Sequence, residues 1–349
     1  MKAIRIGERL VGEGQPCYIV AEAGVNHNGE RALALGLVDV AADARVDAVK
    51  FQKRSIPDLL IREALDAPYV NPNSLGATYG AHRERLELAD DVWWELADHA
   101  RKRGIGFFAS AWDPPSVDFL EALGVPAFKI ASADLTNLPL VEHVARKRRP
   151  VLMSTGMSEM EEIADAVGVV LRHTDQLVLL HCTSAYPANN DELNLRAMDL
   201  LRREFGVLVG YSGHERGLAP TEAAVALGAV VVERHLTTDR TLPGPDHAAS
   251  LEPHGLELLV RNIRNVESAL GAPVKRVLER ERPVRARLAK SVVAACDIPA
   301  GAVIEARHLT VKGPGTGISP RLLARLIGVV ARVDIPADTL VPPEALEWR

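Results

Sequence analysis

The chain contains few cysteines and few aromatic residues, and it has no long apolar run. Its 349 residues include three cysteines, Cys17, Cys182 and Cys296, and Phe, Trp and Tyr together make up 4%. Three widely separated cysteines form no disulfide framework and no pair with metal-site spacing, which favours a reducing, cytoplasmic location. No apolar run is long enough to cross a bilayer, and the N-terminal segment lacks the apolar core of a signal peptide.

The chain also lacks a strong excess of charge of either sign. Its 46 acidic and 41 basic residues leave a formal net charge of -5. Because general nucleic-acid binders are basic, we predict neither a nucleic-acid partner nor a membrane partner. The hydrophobic content of 47% and the charged content of 25% are typical of a globular protein. The length is sufficient for a barrel and a small second domain.

The sequence alternates between strand-like and helix-like segments. Eight apolar runs end in polar residues, and helical patterns separate them. The predicted strands are Cys17–Gly24, Asp47–Lys53, Gly104–Ser110, Ala127–Asp134, Pro150–Gly156, Leu177–Ala185, Gly206–His214 and Ala229–Thr237. Such alternation indicates parallel βαβ units, and eight of them over about 250 residues predict an α/β protein with a closed (β/α)8 TIM barrel. An open doubly wound sheet is the alternative, but the first turn, EAGVNHNGE, lacks its glycine fingerprint.

Two segments lie outside this alternation. The connection from Arg54 to Asp90 is unusually long, and we interpret it as an ordered lid at the barrel mouth. After the barrel, residues 276–290 are basic and punctuated by proline, which is typical of an interdomain linker. The predicted domains are therefore a barrel over residues 1–275 and a small, mostly β domain over residues 291–349, in which the turns IPAGAVI and IPADTLV resemble each other.

Polar side chains follow every predicted strand, at the end where barrels carry their catalytic groups. The clearest example is the last strand, where four apolar residues precede Glu233, Arg234 and His235, and the loop LPGPDH then brings Asp246. The remaining strand ends supply Glu22, Lys50, Gln52, Ser110, Lys129, Ser132, Asp134, Ser154, Ser184, Tyr186, Ser212 and His214. The alternative for the last strand is a partly exposed end with solvated charges.

Two lysines, Lys50 and Lys129, stand within apolar strands. A buried lysine is costly unless it meets an anion. Together with the serine hydroxyls at neighbouring strand ends, the two lysines suit a phosphate or a phosphorylated carboxylate. The alternative is an internal ion pair with Glu22 or Glu233, which would absorb one of the lysines.

Two histidines, His214 and His235, end the seventh and eighth predicted strands, which are neighbours in a closed barrel. Two histidines with an acidic neighbour suit a divalent metal that keeps open positions for water and substrate. The alternative is that both are hydrogen-bonded core residues.

Longer motifs resemble the sialic acid synthase family over nearly the whole chain and in the same order. They are AEAGVNHNG, DAVKFQ, FKIASADLTNLPL, STGM, HCTSAYP, NLRAM, GYSGHERG, ERHLTTDRTLPGPDHAASLEP and KGPGTGISP. The small C-terminal domain resembles the antifreeze-like (SAF) domain of that family. The resemblance implies a barrel that condenses phosphoenolpyruvate with an N-acylmannosamine-type sugar to a nonulosonic acid and phosphate, with C–O cleavage. It also implies a divalent cation, usually manganese with magnesium or cobalt as possible substitutes, and a homodimer with swapped SAF domains.

Matching motifs also imply residue roles. His214 and His235 take the metal, and Glu22 lies near the reacting atoms and handles water. The phosphoenolpyruvate site is lined by Lys50, Ser110, Lys129, Ser132, Ser154, Ser184 and Ser212. The residues that face the sugar are Gln52, Asp134, Tyr186, Glu233 and Asp246.

Two features bear on the sugar. Many bacterial members carry an arginine where this chain has Gly313, whereas the TYG-x-H pattern in the lid resembles the animal branch, which uses the sugar 6-phosphate. We hypothesise that Tyr79, His82 and Arg83 help form a phosphate or extended-polyol site; the alternative is that they only anchor the lid. The sequence therefore leaves four acceptor sugars as alternatives: N-acetylmannosamine, its 6-phosphate and the precursors of legionaminic-type or KDN-type acids. Outside the synthases, a metal-dependent hydrolase or isomerase and a carbohydrate-binding protein are the competing functions.

Overall fold

The computed structural model of the chain describes residues 3–71 and 73–347. Met1, Lys2, Pro72, Trp348 and Arg349, which fall within the predicted domains and lid, lie outside the described residues. The chain divides into two compact units, the first ending at Gly271 and the second beginning at Ala272.

The first unit is a closed barrel of eight parallel strands. They are β3 (Tyr18–Gly24), β4 (Ala48–Lys53), β5 (Gly106–Ala111), β6 (Phe128–Ile130), β7 (Val151–Ser154), β8 (Leu177–Cys182), β9 (Leu208–Gly213) and β10 (Val231–His235), preceded by a hairpin of β1 (Ile4–Ile6) and β2 (Arg9–Val11). Each strand pairs with the next, and β10 closes the ring on β3. The predicted (β/α)8 barrel is therefore confirmed, with each strand present and its ends shifted by up to four residues.

Helices follow the strands of the barrel, and the longer ones offer one apolar face to the strands, whereas three short ones belong to the long connection after β4. They are α1 (Arg31–Asp43), α2 (Ile56–Leu59), α3 (Arg62–Asp66), α4 (Tyr79–Leu86), α5 (Asp90–Lys102), α6 (Pro114–Leu123), α7 (Leu138–Ala145), α8 (Met160–Leu171), α9 (Ala197–Phe205), α10 (Ala219–Ala226) and α11 (Pro253–Leu270). In α11 the buried residues Leu256, Leu259, Val260 and Ile263 follow the i, i+3, i+4, i+7 spacing of such a face.

The hairpin β1–β2 was not predicted from the sequence. Ile6 and Val11 belong to the apolar core of the barrel unit. A cavity of about 700 Å³ is lined both by residues of the hairpin and by Tyr18 and Gly106, which lie at the N-terminal ends of β3 and β5. The hairpin therefore lies at the end of the barrel opposite to the predicted site.

The long connection after β4 is ordered and carries three short helices, α2, α3 and α4. The hydroxyl of Thr78 accepts a hydrogen bond from the backbone N–H of Ala81 and begins α4. The tight approach of Gly80 to the backbone of Leu65 lets α4 pack on α3, because a Cβ at Gly80 would lie 3.0 Å from the Leu65 carbonyl oxygen.

The second unit has an apolar core of its own, which includes Val292, Ile304, Leu326 and Val341. It contains α12 (Arg282–Leu288), the antiparallel strands β11 (Ser291–Ala294) and β12 (Leu309–Lys312), and α13 (Leu323–Leu326). The predicted linker, residues 276–290, thus contains the helix α12. Among the described residues no helix is both long enough and apolar enough to cross a membrane.

Candidate active site

A cavity of about 210 Å³ lies at the C-terminal ends of the barrel strands. Its lining residues are Glu22, Lys50, Gln52, Ser110, Trp112, Lys129, Ala131, Ser132, Ala133, Ser154, Met157, Cys182, Ser184, Tyr186, Ser212, His214, Glu233 and His235. Parallel strands bring their carboxyl ends to one side, and side chains two residues apart point the same way. Most of the predicted site residues therefore meet in one place.

Lys50 is held between two carboxylates. Its Nζ lies 2.8 Å from Oε2 of Glu22 and 3.6 Å from Oε1 of Glu233, and it donates to the hydroxyl of Ser110 at 2.9 Å. Burial raises the pKa of Glu22. Burial acts on Glu233 too, but the nearby lysines outweigh it and lower the pKa of that carboxyl. Lys50 is thus the lysine whose charge is compensated by internal ion pairs.

Lys129 is the second buried lysine, and its environment is different. Its Nζ donates to the backbone carbonyl of Ile130 at 3.0 Å, and no ion pair of Lys129 is found within residues 3–71 and 73–347. Burial lowers the pKa of Lys129, although Glu233 opposes the shift. An almost fully buried ammonium with no carboxylate at ion-pair distance is costly to bury, and an incoming anion would offset that cost.

Hydroxyl groups and one backbone N–H surround the space near Lys129. The N–H of Gly156 donates to Oγ of Ser132 at 3.1 Å, and Oγ of Ser154 is buried without a partner among the described residues. A Cβ at Gly156 would lie 2.2 Å from Oγ of Ser184 and 2.8 Å from Oγ of Ser132. Glycine at this position therefore keeps the space between the serines open. The sequence analysis did not single out Gly156, although the STG motif at a strand end is a signal for it.

The two histidines lie side by side, with ring centroids 5.3 Å apart. Nδ1 of His214 lies 3.0 Å from the carbonyl oxygen of Thr183, an arrangement that leaves Nε2 free as a ligand. Nδ1 of His235 is buried without a hydrogen-bond partner among the described residues, and Oδ2 of Asp246 is 3.8 Å from it. Burial lowers the pKa of His235 to about 4, so the ring is neutral at pH 7.

This donor set fits a metal that is held by two imidazoles. A neutral ring with an orphaned nitrogen, beside a second ring whose Nδ1 lies at hydrogen-bond distance from a carbonyl oxygen, suits such a metal. In residues 3–71 and 73–347 no group of three or more His, Cys, Asp and Glu side chains is arranged to hold an ion. A metal bound here would therefore take its remaining ligands from water and substrate.

Of three residues predicted to face the sugar, one lines the cavity and two do not. Tyr186 lines the cavity, and its ring centroid is 4.1 Å from that of His214. Strand β6 ends at Ile130, before the predicted end at Asp134, so Asp134 lies in a 3-10 turn and outside the cavity lining. Burial raises the pKa of Asp134 to about 6. Asp246 is beside His235 but is not a lining residue either.

The lid residues Tyr79, His82 and Arg83 contact one another and do not line the cavity. Nε of Arg83 donates to the hydroxyl of Tyr79 at 2.8 Å. Nδ1 of His82 accepts from the backbone N–H of Leu75 at 3.1 Å, and its ring lies 4.7 Å from that of Tyr69. These contacts hold the lid together.

Arg234 stands between Glu233 and His235 but points away from the cavity. Its guanidinium donates to Oε1 of Glu215 at 2.9 Å and to the hydroxyl of Thr221 on α10 at 2.8 Å. Tyr211 donates to the other oxygen of Glu215 at 2.8 Å. The alternation of a strand explains this, since neighbouring side chains point to opposite faces.

The sequence analysis missed several residues of the site. Trp112 and Met157 line the cavity, yet their types give no signal of chemistry in a sequence, and Cys182, which was considered only for disulfide and metal spacing, lines it too. Arg54 was also missed, although it continues the two-residue spacing of Lys50 and Gln52, and that spacing could have revealed it. Its guanidinium stacks on Trp112 with 4.6 Å between Cζ and the ring centroid.

Comparison with known proteins identifies the family of the chain. The NeuB family model matches residues 37–275, and the SAF domain model matches residues 289–347. The chain belongs to the NeuB family. The predicted resemblance to the sialic acid synthases, with a C-terminal SAF domain, is thereby confirmed.

Several members of the NeuB family are similar over almost their full length. N-acetylneuraminate-9-phosphate synthase of Mus musculus is 42% identical over 97% of this chain and 95% of its own. N,N'-diacetyllegionaminic acid synthase of Legionella pneumophila is 39% identical over 96% of each chain. The crystal structure of N-acetylneuraminic acid (sialic acid) synthetase from Leptospira borgpetersenii, in complex with citrate, superposes with a TM-score of 0.72 and 33% identity, covering 81% of this chain and 95% of that one.

Proposed function

We propose that this chain is a sialic acid synthase, which condenses phosphoenolpyruvate with N-acetylmannosamine or its 6-phosphate to N-acetylneuraminate or its 9-phosphate and inorganic phosphate. One observation carries the proposal: the buried ammonium of Lys129 has no carboxylate at ion-pair distance among the described residues and lines the same cavity as five serine hydroxyls. In a hydrolase or isomerase, the buried ammonium of Lys129 would have no evident function. A carbohydrate-binding protein would need neither the cation nor the paired carboxylates.

In this proposal the inner wall of the cavity binds phosphoenolpyruvate. Lys129 neutralises its negative charge, and the hydroxyls of the serines orient the phosphate and carboxylate oxygens. The set comprises Ser110, Ser132, Ser154, Ser184 and Ser212. Lys50 acts differently, because its ion pairs fix Glu22 and Glu233 in place.

The carbon–carbon bond forms when C3 of phosphoenolpyruvate donates its electron pair to the aldehyde carbon of the open-chain sugar. The carbonyl π pair moves to the aldehyde oxygen, which becomes a hydroxyl by taking up the proton that Glu22 accepts from water. C2 then carries positive charge, and water adds there. Glu22 orients this water and accepts its proton, a role for which its raised pKa and its link to Gln52 suit it. Collapse of the resulting tetrahedral centre breaks the C2–O bond, so that the bridging oxygen leaves with the phosphate.

His214 and His235 are the residues that would hold a divalent cation. When it is bound, such a cation acts as a Lewis acid toward the sugar aldehyde, and we propose manganese as the ion, with magnesium and cobalt as possible substitutes. Glu233 has a buried Oε2 without a partner among the described residues, which suits a sugar hydroxyl. Gln52, Tyr186, Asp134 and Asp246 complete the proposed sugar side.

The test is phosphate release from phosphoenolpyruvate with manganese, offering N-acetylmannosamine and its 6-phosphate in parallel and recording the mass of the product. Release with the 6-phosphate alone would support a role of Tyr79, His82 and Arg83 in binding that phosphate. Release with the free sugar alone would mean that the three residues only anchor the lid. Release with neither sugar would contradict the proposal.

A second candidate is a legionaminic-type synthase. Relatives that are 39% identical carry the name N,N'-diacetyllegionaminic acid synthase, close to the 42% of the mouse 9-phosphate synthase. The same assay with the 2,4-diacetamido sugar as acceptor separates the two, because only a legionaminic-type enzyme would prefer it. A KDN-type acceptor, mannose 6-phosphate, is the third arm.

We further propose that the chain works as a homodimer in the cytoplasm and that its SAF domains are swapped between subunits. Residues 276–290 would then serve as the linker between a barrel domain of residues 1–275 and an SAF domain of residues 291–349. Gly313, where many bacterial members have arginine, offers no side chain to a partner's sugar. The separate apolar core of the second unit supports a domain that can be exchanged as a whole.

A further inference from the structure

Arg54 is a buried arginine that lies directly after β4, between the lid and the cavity. Its NH1 pairs with Oε1 of Glu87 at 3.1 Å, and its backbone N–H donates to Oε2 of the same carboxylate at 3.3 Å. Glu87 directly follows the last residue of α4 and caps its C-terminal end. The guanidinium therefore fastens the end of the lid helix to the end of a barrel strand.

The other side of Arg54 faces the reaction centre. Its NH2 donates to Oε1 of Gln52, and Nε2 of Gln52 donates to Oε1 of Glu22 at 2.8 Å. A guanidinium can only donate hydrogen bonds, whereas a carboxylate accepts them. The Gln52 amide must therefore present its oxygen to Arg54 and its NH2 to Glu22, and each neighbour enforces the same orientation.

We propose that Arg54 is a positioning residue for the condensation: it orients Gln52, and through Gln52 it sets the Glu22 carboxylate toward the reacting atoms. The same guanidinium binds Glu87, so Glu22 is ordered together with the C-terminal end of α4. The proposal rests on the proposed function, because it assigns Glu22 a role in handling water. Arg54 itself lies outside the cavity lining.

Removal of Arg54 would leave the Gln52 amide held only at its NH2 end, by Glu22. The Gln52 side chain would then be free to shift, and Glu22 would keep its ion pair with Lys50 but lose the fixed hydrogen bond that orients its other oxygen. The phosphoenolpyruvate side would stay intact, since Lys129 and the serines make none of these contacts. We therefore expect a loss in kcat with little change in KM for phosphoenolpyruvate.

The experiment compares Arg54→Met, Arg54→Lys and the lid control Arg62→Met in the full-length protein. Arg62 lies on α3, and its exposed side chain pairs with Asp66, so we expect wild-type kinetics from the control. We expect Arg54→Met to lower kcat about 10- to 100-fold, the loss typical of a misplaced catalytic group. Arg54→Lys keeps a cation for Glu87, but one ammonium does not reach both partners, so we expect its kcat to fall with little change in Tm.

A double-mutant cycle separates positioning from simple loss of stability. If Arg54 acts through Gln52, adding Arg54→Met to Gln52→Leu lowers kcat no further, and the two effects are not additive. Additive effects, or an Arg54→Lys variant with wild-type kcat, would overturn the proposal. A wild-type protein that releases no phosphate with any acceptor would instead overturn the proposed function, so the two failures are distinguishable.

Discussion

The two buried lysines of the barrel are equally buried but have different partners. Lys50 pairs with Glu22 and Glu233, whereas Lys129 has only a carbonyl oxygen as partner among the described residues. The sequence predicted both lysines, and it predicted that pairing could absorb one of them. It could not predict which one, because that depends on the register in which β4 lies beside β3 and brings Lys50 next to Glu22.

Methionine substitutions should separate the two lysines. We expect Lys129→Met to abolish measurable phosphoenolpyruvate binding without lowering Tm, because it removes an unpaired buried charge. We expect Lys50→Met to destabilise the fold by about 3 to 5 kcal/mol, because it leaves buried carboxylates uncompensated. Calorimetric titration with phosphoenolpyruvate and thermal unfolding measure both effects. Equal losses of stability in the two variants would contradict this assignment.

Gly156 should be needed for the anion site rather than for the fold. We expect Gly156→Ala to lower phosphoenolpyruvate affinity at least about 10-fold, because its Cβ would enter the space between Ser132 and Ser184. The matched control is Gly168→Ala on α8, where a Cβ meets no neighbour within 4 Å. That control should gain about 0.5 to 1 kcal/mol of stability and bind normally. Normal binding by Gly156→Ala would exclude the proposed role.

His27 should make the fold sensitive to acid. Burial, reinforced by the charge of Arg54, lowers the pKa of His27 to about 3. The unfolded chain takes up this proton near its ordinary pKa of about 6.5, so the contribution of His27 is complete above that pH and is lost as the pH falls. By pH 4.5 the loss should reach about 2 to 3 kcal/mol.

Urea unfolding at pH 7.5, 5.5 and 4.5 tests this dependence against His27→Asn. Nδ1 of His27 accepts a hydrogen bond from the backbone N–H of Gly29 at 3.1 Å. The side-chain oxygen of asparagine accepts the same kind of hydrogen bond, but asparagine does not titrate. We expect a flatter dependence in the variant. An unchanged slope would assign the acid sensitivity to other groups.

At the level of strands and helices, a buried ion pair joins the wall of the barrel to the loop between β9 and α10, and a hydrogen bond to Thr221 extends this link to α10. Arg234 on β10 reaches Glu215, Thr221 and the carbonyl of Gly217. Glu215→Ala should therefore cost about 3 to 5 kcal/mol, because it leaves a buried guanidinium without its counter-ion. The double variant Glu215→Ala, Arg234→Met should recover part of this loss in thermal unfolding. A double variant less stable than Glu215→Ala would contradict the argument.

The elements of the barrel were largely predictable from the sequence, and their exact ends were not. β-branched runs followed by helical patterns identified all eight strands. Strand β6 is short because the chain turns into a 3-10 helix at Ser132, and this turn moves Asp134 away from the cavity. The hairpin β1–β2 was missed because two strands of three residues leave too little periodicity to read.

For the molecule as a whole, the family, the barrel and the cluster of polar strand ends were predictable because each depends on a local pattern. The links between distant segments were not. The path from Glu87 through Arg54 and Gln52 to Glu22 joins residues up to 65 positions apart and depends on how the lid folds back. No periodicity in the sequence indicates that the lid folds back onto the end of β4.

Mixing subunits tests the proposed exchange of SAF domains. A variant truncated after Gly271 lacks the second unit, and a full-length Lys129→Met variant lacks the anion site. If each SAF domain serves the partner's barrel, co-expression of the two inactive proteins should restore up to about a quarter of the wild-type phosphate release, from the mixed dimers alone. Absence of activity in purified mixed dimers would contradict domain exchange.

The depth of the cavity should also set the order in which the proposed reactants enter and leave. Lys129 and Ser154 on the inner wall are 2% exposed, whereas Tyr186 on the same cavity is 53% exposed. Because the interior of a barrel is filled by side chains, the inner wall is reached only from the strand-end side. A sugar seated first would bar the way to the anion site. Steady-state kinetics should therefore follow a compulsory order in which phosphoenolpyruvate enters first and phosphate departs last.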